Sequence, residues 1–182
     1  YKPTSKTLTK DSVSGINLHG KKHILHKGSD ILPGGNIISY CPALYLNGSK
    51  NTLYVDMNTF EKINIDDNDE KGTGIPIHDI PINKWVHITV AVNQFNLDIY
   101  INGKIVKAIK LTSIPFQNYG NVYYTQNGGF EGYISKIMYL SKYISYDELN
   151  SIVRDGPGEV IHEKLDRPDY LSFDFWTSNN QL

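Results

Sequence analysis

The carboxylates of this sequence are spaced in a way that bears directly on catalysis. A glycoside hydrolase needs two carboxyl groups, one on each side of the bond that it cleaves. On a β-strand such groups would alternate, as in Glu-x-Asp-x-Glu, and no stretch has that spacing. Asp56 and Asp98 stand alone, and Glu131 lies between Phe130 and Gly132. No serine, cysteine or histidine lies in a nucleophile-elbow context either. We therefore predict that the protein is not an enzyme.

A short acidic run offers oxygen ligands to a hard cation. Asp66, Asp67, Asn68 and Asp69 follow one another, with Glu70 next and glycines nearby. Such oxygens suit calcium. The run nevertheless lacks the ligand spacing and the sixth-position glycine of an EF-hand loop. We predict solvated charges in an exposed hairpin loop, with calcium as the possible cofactor and no other cofactor expected.

The six histidines do not form an obvious metal site. His23 and His26 are three residues apart, and side chains on a strand alternate between its faces. This spacing predicts that the two rings point to opposite faces. Packing or surface placement is therefore the expected role of the histidines.

Aromatic and amide side chains are the remaining candidates for a binding site. Tyrosine rings can stack on sugar rings while neighbouring amides supply hydrogen bonds. A group of this kind lies in one loop–strand–loop stretch, comprising Asn118, Tyr119, Asn121, Tyr123, Tyr124, Gln126 and Asn127. The alternative is that alternate rings line the core and the others form cross-strand pairs, and we favour that alternative.

Length, charge and cysteine content limit the classes to which the protein can belong. The chain has 182 residues, with 18 basic and 19 acidic side chains, which suits one domain and predicts no nucleic-acid partner. No apolar stretch is long enough to span a membrane. The lone Cys41 allows no internal disulfide. Because the chain begins at Tyr1, we expect it to be part of a longer protein.

The pattern of the chain predicts an all-β protein. Short alternating apolar runs are separated by Gly, Pro, Asn and Asp. Predicted strands cover residues 22–26, 43–46, 52–57, 62–65, 85–93, 97–101, 104–111, 121–125, 129–140 and 170–176, and residues 31–42 are predicted as a loop. One short helix is predicted near 145–154, with Ser145 and Glu148 as a capping box.

Residues 81–107 contain the most informative pattern. Val86, Ile88, Val90 and Val92 alternate with more polar residues, and a second strand follows after a tight connection. The dipeptide at 102–103 is Asn-Gly, which type I′ hairpin turns favour. The stretch therefore predicts a three-stranded antiparallel meander, with Trp85 plugging its end.

These residues carry a resemblance to a known superfamily. A tryptophan before a strand, followed by a Tyr-Ile-Asn-Gly-Lys hairpin at 100–104, resembles laminin-G and concanavalin A-like domains. The stretch Phe-Glu-Gly-Tyr-Ile-Ser at 130–135 is similar to a strand of that superfamily. Together with residues 21–28 and 118–123, the set resembles versions found in proteins of large DNA viruses. The resemblance implies an antiparallel two-sheet jelly-roll sandwich.

The resemblance covers residues 21–157 and departs from the family at both ends. An expected early Phe-Trp strand is missing from residues 1–20, whereas residues 170–176 contain a Phe-Asp-Phe-Trp stretch. We predict one domain over 1–182, with a core at 21–157 and a C-terminal extension at 158–182. Its last strand either completes this sheet, as we expect, or begins a second module.

Two functions follow as hypotheses. The first is a non-catalytic structural or interaction module, a virion or capsid-associated protein that contacts other proteins of an assembly. The second is a lectin-like module that binds glycans through the aromatic and amide group, at an extracellular or cell-surface location. Fold resemblance alone is weak support for either function.

Overall fold

The computed structural model describes residues 16–60 and 74–158. These residues form ten β-strands and one helix. The strands are β1 (Ile16–Asn17), β2 (Lys21–Gly28), β3 (Asn36–Ile37), β4 (Tyr40–Asn47), β5 (Thr52–Asp56), β6 (Ile75–His78), β7 (Ile88–Asn93), β8 (Asn96–Ile101), β9 (Lys104–Lys110) and β10 (Asn121–Tyr124), and the helix is α1 (Tyr146–Asp155). The predicted strands 62–65 and 170–176 and the acidic run 66–69 lie outside the described residues.

The strands form three antiparallel sheets. The largest has the order β10-β2-β4-β5-β6, a second has the order β7-β8-β9, and β1 pairs with β3. A shared apolar core joins the first two sheets, where Leu53 and Val55 of β5 pack with Leu97 and Ile99 of β8. The predicted all-β antiparallel sandwich is therefore confirmed. The finer assignment of a jelly roll stays a prediction.

A second apolar cluster covers the other face of the large sheet. Ile16 of β1 and Ile37 of β3 pack with Tyr45 of β4 and Tyr54 of β5. The two tyrosine rings stack with centroids 5.3 Å apart. Because apolar groups cover both faces, all five residues of β5 are buried. This third layer was not predicted.

The predicted meander is confirmed, and the role predicted for Trp85 is wrong. Ile101 pairs with Lys104, which leaves Asn102 and Gly103 as a two-residue turn with φ of 49° and 77°. β7 begins only at Ile88, and the Trp85 side chain is 48% exposed. The chain before β7 is a loop, so the indole lies outside the core.

One strand that contains proline, β6, was missed, and another, β4, was predicted to begin only at Ala43, after its proline. Residues 31–42, predicted as a loop, include β3 and the start of β4 with Pro42, and Pro76 lies in β6. Pro42 falls where the β2–β4 register shifts, and β6 is the last strand in the described sheet order. Both are places where a residue without an N–H donor leaves the ladder intact.

The strand predicted at 129–140 is wrong. This segment has no regular secondary structure. Gly129 and Lys136 have φ of 53° and 48°, which is left-handed backbone that a strand cannot contain. The stretch is rich in apolar and aromatic residues, but the backbone turns away from a sheet at these positions.

Helix α1 begins with the predicted capping box. The Glu148 backbone N–H donates to Ser145 Oγ over 3.2 Å, and the Ser145 N–H donates to Glu148 Oε2 over 3.1 Å. These bonds satisfy donors that a helix start leaves without intrahelical partners. Leu149 is the buried residue of the helix. At ten residues, α1 is too short to cross a membrane, and no other helix of the described part is long enough.

Replacing Ser145 with alanine is expected to destabilise the protein by about 1 kcal/mol, because a helix N-cap loses its acceptor. Urea unfolding followed by circular dichroism measures the change. Ser141→Ala, at an exposed position four residues earlier, is the matched control and should change stability by less than about 0.5 kcal/mol. Equal effects of the two substitutions would contradict the role of the cap.

Candidate functional site

The residues predicted to bind carbohydrate lie on β10 and its flanking loops, and the structure distributes them over two faces. Tyr123 faces β2, where its ring stacks on His26 with centroids 5.0 Å apart. Tyr124 is exposed, as the alternation of a strand requires, and Tyr119 is fully exposed in the preceding loop. Asn121 is exposed at the start of β10. The tyrosines therefore do not share one surface.

Asn118 ties the loop before β10 to β2. Its Oδ1 accepts hydrogen bonds from Lys27 Nζ and from the Gly120 N–H, each over 3.1 Å. Its Nδ2 donates to the Lys27 carbonyl over 3.1 Å. Gln126 and Asn127 lie in the turn after β10. Carbohydrate binding by this group stays a prediction, and the rings left accessible for it are those of Tyr119 and Tyr124.

His23 and His26 form a buried pair on one face of β2. Their relative exposures are 1% and 0%, and His23 Nε2 lies 2.8 Å from His26 Nδ1. His26 Nε2 lies 2.7 Å from the Ser29 carbonyl oxygen. The backbone N–H of Gln126 donates to His23 Nδ1 over 3.1 Å. The pair thus connects β2 to the turn that follows β10.

The prediction that these rings point to opposite faces is wrong because β2 contains a bulge. His23 pairs with Tyr45 and Leu25 with Leu44, so Ile24 is an extra residue on β2. Ile24 and Leu25 both pack on the core between the two sheets. The histidines consequently share the other face. The adjacent apolar residues 24 and 25, which interrupt the alternation, were the available signal for a bulge.

Burial keeps both rings of the pair neutral near pH 7. Burial, with a smaller contribution from the neighbouring His26, lowers the pKa of His23 from 6.5 to about 4. Burial also lowers the pKa of His26, against opposing effects of the Ser29 carbonyl and of Asp30. Both rings are therefore uncharged in the folded protein at neutral pH.

The buried position of the Gln126 side chain is energetically unfavourable. Within the described residues, its side-chain Oε1 is buried without a hydrogen-bond partner. An unsatisfied buried acceptor costs on the order of 1–3 kcal/mol. Two backbone bonds hold this turn on β2, from the Gln126 N–H to His23 Nδ1 and from the Thr125 N–H to the Ile24 carbonyl over 2.8 Å.

A second feature is an exposed apolar segment between β10 and α1. Large apolar side chains that are at least two-fifths exposed follow one another there: Tyr133, Ile137, Met138, Tyr139, Leu140 and Tyr143. These residues define the exposed apolar segment. Sequence analysis missed it because most of the stretch, residues 129–140, was predicted to be a strand.

The exposed apolar segment is attached to the folded core at both of its ends. Tyr143 Oη donates to Asp98 Oδ2 of β8 over 3.2 Å. Contacts with Tyr100, and then with Asp98, raise the pKa of Tyr143 to about 12. At the other end, the Gly158 N–H donates to Ser135 Oγ over 2.8 Å. The apolar side chains are therefore presented by a backbone that is attached to β8 and to the chain after α1.

The described residues offer little for metal or thiol chemistry. Within 16–60 and 74–158, no group of three or more His, Cys, Asp or Glu side chains could hold a metal ion. Burial raises the pKa of the Cys41 thiol to about 11, so it is protonated at neutral pH. The acidic run 66–69 lies outside the described residues, and calcium binding there stays a prediction.

Comparison with known proteins does not assign this chain to a family. No protein-family model matches the chain, and no curated protein matches it. One similar solved structure is an S-layer domain-containing protein, residues 221–444, from Clostridium thermocellum ATCC 27405. The identity is 17%, the match covers 84% of this chain and 70% of that chain, and the TM-score is 0.33. A superposition this loose carries no argument about function.

Proposed function

We propose that this protein is a non-catalytic interaction module that contacts another protein of an assembly through the exposed apolar segment. The exposure of these side chains is the observation that supports the proposal. Contiguous exposed apolar surface on a monomer commonly marks an interaction site. Tyrosine and methionine are also enriched at the centres of protein interfaces.

The composition of the segment favours a protein as its partner. Its three tyrosines combine ring area with hydroxyl groups that can accept or donate hydrogen bonds at an interface. Charged side chains lie within it and beside it, with Lys142 of the segment paired to Glu148 of α1 over 2.7 Å. A mixed-charge rim around an apolar centre is typical of protein–protein contacts.

The setting of the assembly rests on the sequence resemblance. Similarity to domains of large DNA virus proteins supports a virion or capsid-associated location. An extracellular or cell-surface location is the alternative. Carbohydrate binding is the second candidate function, favoured by the exposed rings of Tyr119 and Tyr124 beside the exposed Asn121.

Photo-crosslinking in the native assembly tests the proposal. A photoreactive residue in place of Tyr139, which is 72% exposed, is expected to give one discrete protein adduct, whose protein component mass spectrometry identifies. The same residue in place of Ile105, on β9 and 53% exposed, is the control and should not give that adduct.

Titration with the identified and purified partner then measures the contribution of the segment. Tyr139→Ala is expected to weaken binding at least about tenfold, as truncation of a central interface tyrosine does, whereas Ile105→Ala should leave it unchanged. No adduct at position 139 in an intact assembly would overturn the proposal. A glycan-array signal that Tyr124→Ala abolishes would support the carbohydrate function in its place.

A further inference from the structure

We propose that His23 and His26 form a proton-operated latch that holds the turn after β10 on β2 at neutral pH and releases it in mild acid. The proposal is independent of the exposed apolar segment. It concerns the hydrogen-bond chain that runs from the Ser29 carbonyl through both rings to the Gln126 backbone.

The hydrogens of this chain can be counted. Three contacts connect Ser29, His26, His23 and Gln126, and each holds one hydrogen. The Gln126 N–H fills the contact with His23 Nδ1. Two neutral imidazoles carry one hydrogen each, which fill the other two contacts. Both rings are then protonated at Nε2, and every ring nitrogen has a complementary partner.

A further proton has no place in this chain. On His23 Nδ1 it faces the Gln126 N–H, so that two donors meet. On His26 Nδ1 the proton faces the hydrogen on His23 Nε2. If the hydrogen of His23 moves from Nε2 to Nδ1 instead, it faces the Gln126 N–H. Each placement breaks a contact of His23, whereas the bond from His26 to Ser29 survives. Because both rings lie on β2, the placements that put a hydrogen on His23 Nδ1 are the ones that break the bond from the Gln126 N–H and free the turn from this strand.

The strand attached to this chain is held by few other elements. β10 has four residues and lies at the end of the described order of its sheet, paired with β2 from Asn121 to Tyr124. Tyr123 of β10 also stacks on His26. A charge on the pair therefore acts on two contacts of this region, the turn through Gln126 and the strand through the stacked ring. They act in addition to the β2–β10 pairing and to the bond that the Thr125 N–H donates to the Ile24 carbonyl over 2.8 Å.

The surroundings offer limited compensation for a positive charge. Tyr123 faces the pair from β10, and Tyr45 lies opposite His23 on β4. Asp30, in the loop after β2, favours the charged form of His26. Lys27 of β2 directs its ammonium group to Asn118. Asp30 is the one carboxylate among these groups, and its effect is smaller than that of burial.

The direction of the pH dependence follows from the lowered pKa. The closed turn is fully stable above pH 6.5, and its stability falls as the pH drops from 6.5 towards 4, because only the open form takes up protons there. With pKa values of 6.5 in the open form and about 4 in the closed form, His23 alone raises the opening equilibrium about 30-fold at pH 5.

Hydrogen exchange and ring nitrogen NMR test the latch. At pH 7.5, both rings are expected to carry hydrogen at Nε2. Amide exchange at residues 121–127, corrected for its intrinsic pH dependence, should accelerate at least tenfold between pH 7.5 and pH 5, while β5 amides stay protected. Unchanged corrected exchange in this segment would overturn the proposal, and so would a different tautomer of either ring.

A matched pair of variants separates the latch from general acid effects. His23→Asn retains an acceptor for the Gln126 N–H and cannot be protonated, so its exchange should lose most of the pH dependence. His19→Asn, at an exposed position, should keep it. A folded His23→Asn variant with the full acid response would refute the latch. If this variant fails to fold, the same measurements on the wild-type protein test the latch. Protonation of the pair without faster exchange of the Gln126 amide would also refute it.

Discussion

Alanine at Gly28 is expected to destabilise the protein by at least about 3 kcal/mol, because the added methyl group has no space. A Cβ atom there would lie 1.8 Å from the Ser39 carbonyl oxygen and 2.6 Å from its carbon. Both are backbone atoms beside the paired Tyr40, so neither can rotate away as a side chain would. Urea unfolding measures the change.

The control for this substitution is Gly20→Ala. Gly20 has φ of 71°, and no atom lies within 4 Å of a Cβ built on it. The Gly20→Ala variant should lose about 1 kcal/mol of folding stability, because alanine there must adopt left-handed backbone. If Gly28→Ala costs no more than Gly20→Ala, the backbone of 39–40 can yield, and the tight approach of β2 and β4 is not essential.

Truncation of Ile99 to alanine is the second large effect that we expect, at about 2–5 kcal/mol. Ile99 is fully buried on β8, in the cluster that joins the two large sheets. Removing its outer carbons leaves a cavity between sheets that cannot close without moving both. Thermal and urea unfolding measure the loss.

Ile105→Ala provides a comparison of identical chemistry on the neighbouring strand. Ile105 is 53% exposed, so its truncation should cost less than about 1 kcal/mol. A similar cost at both positions would contradict the placement of the core between β5 and β8. Because both substitutions replace isoleucine with alanine on a strand, comparing them also controls for the difference in β-propensity between the two residue types.

Signals that lie within a few residues of one another were predicted well from the sequence. The Asn102–Gly103 turn needs positive φ at both positions, and Ser145 with Glu148 reciprocally satisfies the start of α1. Each depends on backbone conformation and on bonds within four residues. The first two strands of the meander, β7 and β8, follow from alternation over six residues. Such signals predicted the all-β class, the meander and the helix.

Long-range packing decided the candidate site. The spacing of His23 and His26 predicts opposite faces, and a bulge at Ile24, defined by the pairing of β2 with β4, brings the rings into contact. Tyr123 was grouped with Tyr124 for sugar binding, yet pairing with β2 directs its ring onto His26.

The exposed apolar segment is a case in which the sequence predicted a strand that the structure does not contain. Residues 129–140 have the apolar and aromatic content of a strand, but the backbone is left-handed at Gly129 and Lys136 and the segment lies outside the sheets. The sequence by itself determined the elements whose causes are local, including the turn, the capped helix and the alternating strands. The tertiary structure decided which faces are covered and which side chains meet, because bulges, strand partners and burial depend on residues far apart in the chain.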